Sequence, residues 1–295
     1  MRLANVVGTR PQLIKAAALQ PALRARHDEV FIDTGQHWDD EMAGVFFREL
    51  RLRAPDRSLG VGGGSAAEQT GRMLVALEAA LSDVRPDAVV VYGDTNSTLA
   101  TSLVAAKLGV PVAHVEAGLR SFDRRMPEEV NRLVTDHLAR WAFAPTEAAV
   151  EQLAAEGLRD GVHLVGDVMR DLAARTIDAV RDPSSLAGIA GGRLRTGDYL
   201  FATVHRAENR TPDAIRGWTG LFDSVARADR PVVLALHPGT RAALDALGVA
   251  PTADVIVIDP LGYRSSIAVQ LHAAAVLTDS GGVQREAAWL GTPCL

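Results

Sequence analysis

Short apolar runs, each closed by a glycine-containing turn and followed by an amphipathic stretch, recur along the chain. Residues 3–7 form the first run, and Gly8-Thr9-Arg10-Pro11 leads into a helix that passes Lys15 and Leu19 and ends near Arg26. Proline there sits in the first turn, where its missing N–H is not needed. Residues 29–33 predict a second strand ending in Thr34-Gly35-Gln36-His37, and helical periodicity returns over 41–50. Met73, Leu74, Leu77 and Leu81 fall on one side of a further helix. Residues 87–92, 110–115, 141–144 and 163–165 read as strands, with helices over 97–108 and from Thr146 onward. Strand alternating with helix at this spacing predicts a doubly wound parallel sheet.

A second series follows. Residues 166–190 read as mostly helical, and 191–197 as a polar, glycine-rich turn. Strands are expected at 199–204, 232–236, 255–258 and 275–277. A helix is capped by Thr211 with Pro212 at its first position, and others span 240–247, 265–272 and 282–290. The expected fold class is α/β: two doubly wound Rossmann-like domains, residues 1–170 and 171–295, facing across a cleft that opens and closes about the junction near Arg170. Thr292-Pro293-Cys294-Leu295 reads as the beginning of one more strand, so the second domain is expected to continue beyond it or to have that edge covered by a partner.

Composition narrows the class. With 295 residues, 47% of them hydrophobic, the chain is long enough for two cores. A formal net charge of −5 argues against nucleic acid as a partner. The single cysteine, Cys294, rules out a disulfide framework, and the opening Met-Arg-Leu-Ala-Asn-Val-Val-Gly reads as a strand, which points to a cytoplasmic protein. No apolar run is long enough to span a bilayer.

Candidate chemistry collects at the carboxyl ends of the predicted strands, where α/β proteins keep their ligand sites. Thr278-Asp279-Ser280-Gly281-Gly282 runs from a strand into a helix start whose N–H groups carry no obstructing side chains, which suits a diphosphate; Glu286, a turn further on, is placed for ribose hydroxyls. Gly8-Thr9-Arg10-Pro11 is a second phosphate-friendly turn, with Arg10 able to grip two oxygens. His205 and His237 each follow a strand. Asp94, Glu116 and Glu128 are the candidates for proton transfer, although Glu128 and Glu129 also suit a first helical turn and Asp94 and Glu116 could cap or pair. Gly60-Val61-Gly62-Gly63-Gly64 fails as a dinucleotide fingerprint, since Ser65 replaces the last glycine and no strand precedes it directly; a flexible surface loop is expected. Metal is not expected: there is no cysteine cluster, no His-x-x-x-His pair and no Asp-x-Asp pair.

Taken together, these motifs resemble the non-hydrolysing UDP-N-acetylglucosamine 2-epimerases, which have a GT-B-like fold. The likeness runs in order through Gly8-Thr9-Arg10-Pro11, Lys15, Gln36-His37, Gly93-Asp94-Thr95, His114-Val115-Glu116-Ala117-Gly118-Leu119-Arg120, Pro127-Glu128-Glu129-x-Asn131-Arg132, Pro145-Thr146-Glu147, His205-Arg206, Asp259-Pro260 and Thr278-Asp279-Ser280-Gly281-Gly282-x-Gln284-x-Glu286. It implies an isomerase that interconverts UDP-GlcNAc and UDP-ManNAc by eliminating and re-adding UDP, without a cofactor, in nucleotide-sugar or cell-envelope polysaccharide biosynthesis. It further implies a homodimer, catalytic roles for Asp94, Glu116, Glu128 and His205, and substrate contacts from Arg10, Lys15, His237, Tyr263, Ser280, Gly281, Gly282 and Glu286. Two segments depart from the family pattern. Trp38-Asp39-Asp40 after Gln36-His37 replaces the basic residue associated with activation by substrate. Ser121-Phe122-Asp123-Arg124-Arg125-Met126 suits a different sugar, such as a UDP-2,3-diacetamido uronic acid. A GT-B glycosyltransferase and a non-catalytic nucleotide-sugar sensor are the competing readings.

Overall fold

The computed structural model describes residues 1–36, 49–236 and 238–295. The chain divides into two compact units, Met1–Leu172 and Ala173–Leu295. The helix expected over 41–50, the Trp38-Asp39-Asp40 departure and His237 lie outside the described residues, apart from the last two positions of that helix.

The first unit holds a seven-stranded sheet of β1 (Arg2–Val7), β2 (Asp28–Asp33), β3 (Arg57–Ser58), β4 (Ala88–Tyr92), β5 (Val112–Val115), β6 (Trp141–Ala144) and β7 (Val162–Leu164), in the order 3-2-1-4-5-6-7. Every pairing is parallel. Parallel sheets are covered on both faces, which is why β4 and β5 are buried at every position rather than at alternate ones. Helix Ala66–Val84 closes one face: Ser65 and Glu68 form a reciprocal capping box, and Met73, Leu77, Leu81 and Val84 pack on Val6, Val89 and Val91.

The structure adds detail to the sequence reading here. The Gly60–Gly64 stretch keeps glycine conformations at its surface but is tied to the sheet. Leu59 N–H donates to Asp33 O, Val61 N–H donates to Thr34 O, and the Val61 side chain is buried in the core. Strand β3 escaped notice because both its residues are exposed and carry no apolar pattern. Residues 166–190 are mostly helical, as expected: helix Val168–Val180 is followed by a 3₁₀ turn at Pro183–Leu186, and the segment ends where Ala190 and Gly191 take left-handed backbone conformations.

The second unit is built on β8 (Leu200–Val204), β9 (Val232–Leu236), β10 (Val255–Ile258) and β11 (Ala275–Thr278), parallel in the order 10-9-8-11. Thr211 caps helix Pro212–Val225, whose Ile215 and Phe222 pack with Val232, Leu234 and Leu236. Pro293–Leu295 run beside β11, with Val276 N–H donating to Pro293 O and Leu295 N–H to Val276 O.

Candidate functional site

Both sheets reverse direction of winding once. In the first unit the reversal falls between β1 and β4, and in the second between β8 and β11. The loops leaving the two central strands diverge at such a point and open a crevice beyond their carboxyl ends. Arg10, Asp94, His205 and Ser280 follow the strands that flank these two points.

In the first unit the lips are Gly8-Thr9 and Gly93-Asp94. A side chain on Gly8 would overlap the hydroxyls of Thr34 and Ser97, which themselves lie 2.7 Å apart, so only glycine allows the turn this close. Buried Gln12 links the lips: Gly8 N–H donates to its Oε1 (2.8 Å), and its Nε2 donates to Tyr92 O (2.9 Å). Arg10 opens helix Arg10–Arg26. One turn on, Lys15 is buried and its ammonium is ion-paired with the carboxylate of Glu116. Gly93, at φ +62°, lies against this pair; a Cβ there would sit 3.1 Å from Lys15 Nζ and 3.3 Å from Glu116 Oε2. Glu116 itself has φ +72°, a left-handed conformation uncommon for a residue with a side chain, and strain of this kind concentrates at functional sites.

Asp94 is held from helix Pro127–Leu138. Its carboxylate pairs with Arg132, and Asn131 Nδ2 donates to its carbonyl (2.8 Å). Arg132 also bonds Glu129 at 3.1 Å. The two adjacent glutamates of that helix separate cleanly. Glu128 is exposed, whereas Glu129 is buried and accepts from Ser121 N–H (2.8 Å), Ser121 Oγ (2.9 Å) and Phe122 N–H (3.0 Å). Burial opposes the Glu129 charge, but these donors and Arg132 outweigh it and hold the carboxyl below its ordinary value. The structure therefore brings Lys15, Asp94 and Glu116 to one edge and leaves Glu128 on the helix surface.

The second unit repeats the plan. Thr203 and Thr278 bridge β8 and β11 through their hydroxyls (2.6 Å), and just beyond them the Asp279 carboxylate gathers the His205 loop. It accepts from His205 N–H (2.9 and 3.1 Å), Arg206 N–H (2.9 Å) and Asn209 Nδ2 (2.7 Å). Burial disfavours its charge, yet those donors and the His205 ring keep its carboxyl below the usual range. Asp279 was not among the residues singled out for a role; its position between a strand end and Ser-Gly-Gly was the available signal.

Ser280 N-caps helix Gly281–Leu290 without using its hydroxyl on the helix, and its N–H donates to Thr278 Oγ1 (3.0 Å). Gly281 has open space where a side chain would be. Glu286 is buried and accepts from Gln270 Nε2 (2.8 Å). Tyr263 opens helix Tyr263–His272 with its ring buried. Among the described residues no cluster of His, Cys, Asp and Glu could hold a metal ion.

Two parallel α/β units, each with polar loops at the reversal of its strand order, define a GT-B-like protein. The chain belongs to the UDP-N-acetylglucosamine 2-epimerase family, whose model matches residues 21–295. It is 40% identical to a UDP-N-acetylglucosamine 2-epimerase homolog of Methanococcus maripaludis, over all of this chain and 83% of that protein. It is 43% identical to the UDP-2,3-diacetamido-2,3-dideoxy-D-glucuronate 2-epimerase of Pseudomonas aeruginosa, over all of this chain and 82% of the relative. Its fold matches the crystal structure of Methanocaldococcus jannaschii UDP-GlcNAc 2-epimerase in complex with UDP-GlcNAc and UDP, with a TM-score of 0.89 and 38% identity over all of this chain and 83% of that one.

Proposed function

We propose that this chain is a UDP-N-acetylglucosamine 2-epimerase that inverts C2 of the sugar by anti elimination and re-addition of UDP. The observation that carries the reading is the pair of carboxylates, Asp94 and Glu116, each set against a cation at the first unit's strand reversal. The C2–H bond has no adjacent carbonyl to acidify it, so proton removal must be coupled to departure of the diphosphate. A carboxylate takes the C2 proton, the C–H electrons form the C1–C2 double bond, and the C1–O bond breaks with its electron pair leaving on UDP. A proton then returns to the opposite face of C2 while a UDP oxygen adds to C1.

Asp94, Glu116 and Glu128 share the proton transfers. His205, Arg10 and the Ser280–Gly282 helix start stabilise the departing diphosphate, the step on which electrostatic catalysis acts most strongly. Glu286 is assigned to the ribose, backbone near Tyr263 to the base, and Lys15 and His237 to substrate contacts. The reading extends to a cytoplasmic homodimer that supplies nucleotide sugars for polysaccharide; no helix among the described residues is long and apolar enough to cross a membrane.

The Pseudomonas relative favours a second reading, the same chemistry on a UDP-2,3-diacetamido uronic acid. Separate incubations with UDP-GlcNAc and with the UDP-2,3-diacetamido uronic acid in deuterated water, followed by NMR, distinguish these. Deuterium at C2 of a sugar still joined to UDP is the expected result. Exchange only on the diacetamido uronate supports the second reading, and release of free ManNAc or exchange on neither sugar refutes both.

A further inference from the structure

One buried histidine has no part in the chemistry above. His114, on β5, is fully buried, and both its ring nitrogens face acceptors. Nδ1 lies 2.6 Å from Asp136 Oδ1 and Nε2 lies 2.8 Å from Gly93 O. A carbonyl oxygen cannot donate. The other Asp136 oxygen receives Gly118 N–H (3.1 Å) and is ion-paired with the buried Arg120 guanidinium (2.7 Å), a cation that favours the ionised carboxyl, so Asp136 is a carboxylate that accepts on both sides. Either neutral tautomer of His114 would turn a lone pair on an oxygen at hydrogen-bond distance; two donors require the imidazolium. Arg120 continues to Glu156 (2.6 and 2.8 Å), which balances two cations with two anions in the interior.

Buried ion pairs seldom add stability over well-packed apolar residues, so this one calls for a geometric reason. Its contacts supply one. The Gly93 carbonyl belongs to the peptide joining Gly93 to Asp94, and Gly118 lies two residues beyond Glu116. Through those two backbone groups the His114–Asp136 pair grips both loops that carry the carboxylates. We propose that His114 and Asp136 are positioning residues, a charged brace that fixes the loops of Asp94 and Glu116 relative to each other for proton transfer. The proposal rests on the epimerase reading for its kinetic consequence.

Two measurements test it. In protein labelled with ¹⁵N-histidine, the His114 ring should show both nitrogens protonated at neutral pH; the pattern of a neutral tautomer overturns the proposal whether or not any variant folds. His114→Asn keeps a donor near the Nδ1 position and loses the Gly93 anchor, while His114→Gln places its amide near the Nε2 position and keeps it. We expect H114N to lower kcat roughly a hundredfold, the cost of a misplacement of about 1 Å, with little change in KM, and H114Q to recover a substantial part. Equal kcat in the two variants, or losses confined to KM, overturns the brace. Asp94→Asn and Glu116→Gln are assayed alongside. If they abolish C2 exchange while H114N exchanges at the wild-type rate, the brace fails and the epimerase reading stands; if both remain fully active, that reading fails while the NMR result still judges the brace.

Discussion

Lys15→Met should be among the more damaging single substitutions in the first unit. Lys15 is 6% exposed and its partner Glu116 nearly as buried, so removing the ammonium leaves a carboxylate largely cut off from water. Breaking a buried pair from one side costs about 3–5 kcal/mol, because the surviving charge remains desolvated. Glu116 also sits at φ +72° beside Gly93, which restricts its escape to solvent. Taking out both charges removes the penalty. The double variant Lys15→Met with Glu116→Gln should recover most of the loss, giving a coupling of at least about 2 kcal/mol in a double-mutant cycle. Urea unfolding followed by amide exchange in β1, β4 and β5 reports this unit alone. In a unit of this size each kcal/mol also moves the melting temperature by roughly 2–4 °C. A single-variant cost below about 1 kcal/mol, the range of exposed pairs, would sink the reasoning, as would simple additivity in the cycle.

Gly8→Ala would drive a methyl group into Thr34 and Ser97 and should destabilise the first unit by about 1–3 kcal/mol or more, read as a lower melting temperature. Asp279→Asn should weaken UDP binding by calorimetry while leaving the fold intact, since an amide oxygen cannot hold the three donors of the His205 loop as a carboxylate does; charged hydrogen bonds of this kind contribute about 1.5–3 kcal/mol each. Asp136 has its carboxyl held low: burial opposes the charge, but His114 and Arg120 outweigh it. Its folded-state value lies below the unfolded one, so its contribution is present above the ordinary aspartate value of 3.8 and is lost as pH falls through the folded value. Melting curves against pH should therefore show a shallower acid limb in Asp136→Asn than in the wild type; parallel limbs would count against the brace carrying charge.

Sequence periodicity located the long elements because parallel strands buried on both faces are continuous apolar runs and covering helices repeat their apolar residues at three- and four-residue spacing. It missed β3, whose pairing comes from backbone groups next to β2 and not from any pattern of its own. Motif spacing brought Asp94, Glu116 and the Ser280 helix start to strand ends, since chain order alone places residues after a strand. What it could not decide was partnership. Glu128 and Glu129 are neighbours of identical chemistry, yet one is exposed and the other buried under three hydrogen bonds, because a helix turns successive side chains about 100° apart. In the same way Lys15 meets Glu116, and His114 reaches both Gly93 and Asp136, only once strands far apart in sequence lie side by side. Local chemistry was written in the sequence; which charges share an interior was set by the sheet order.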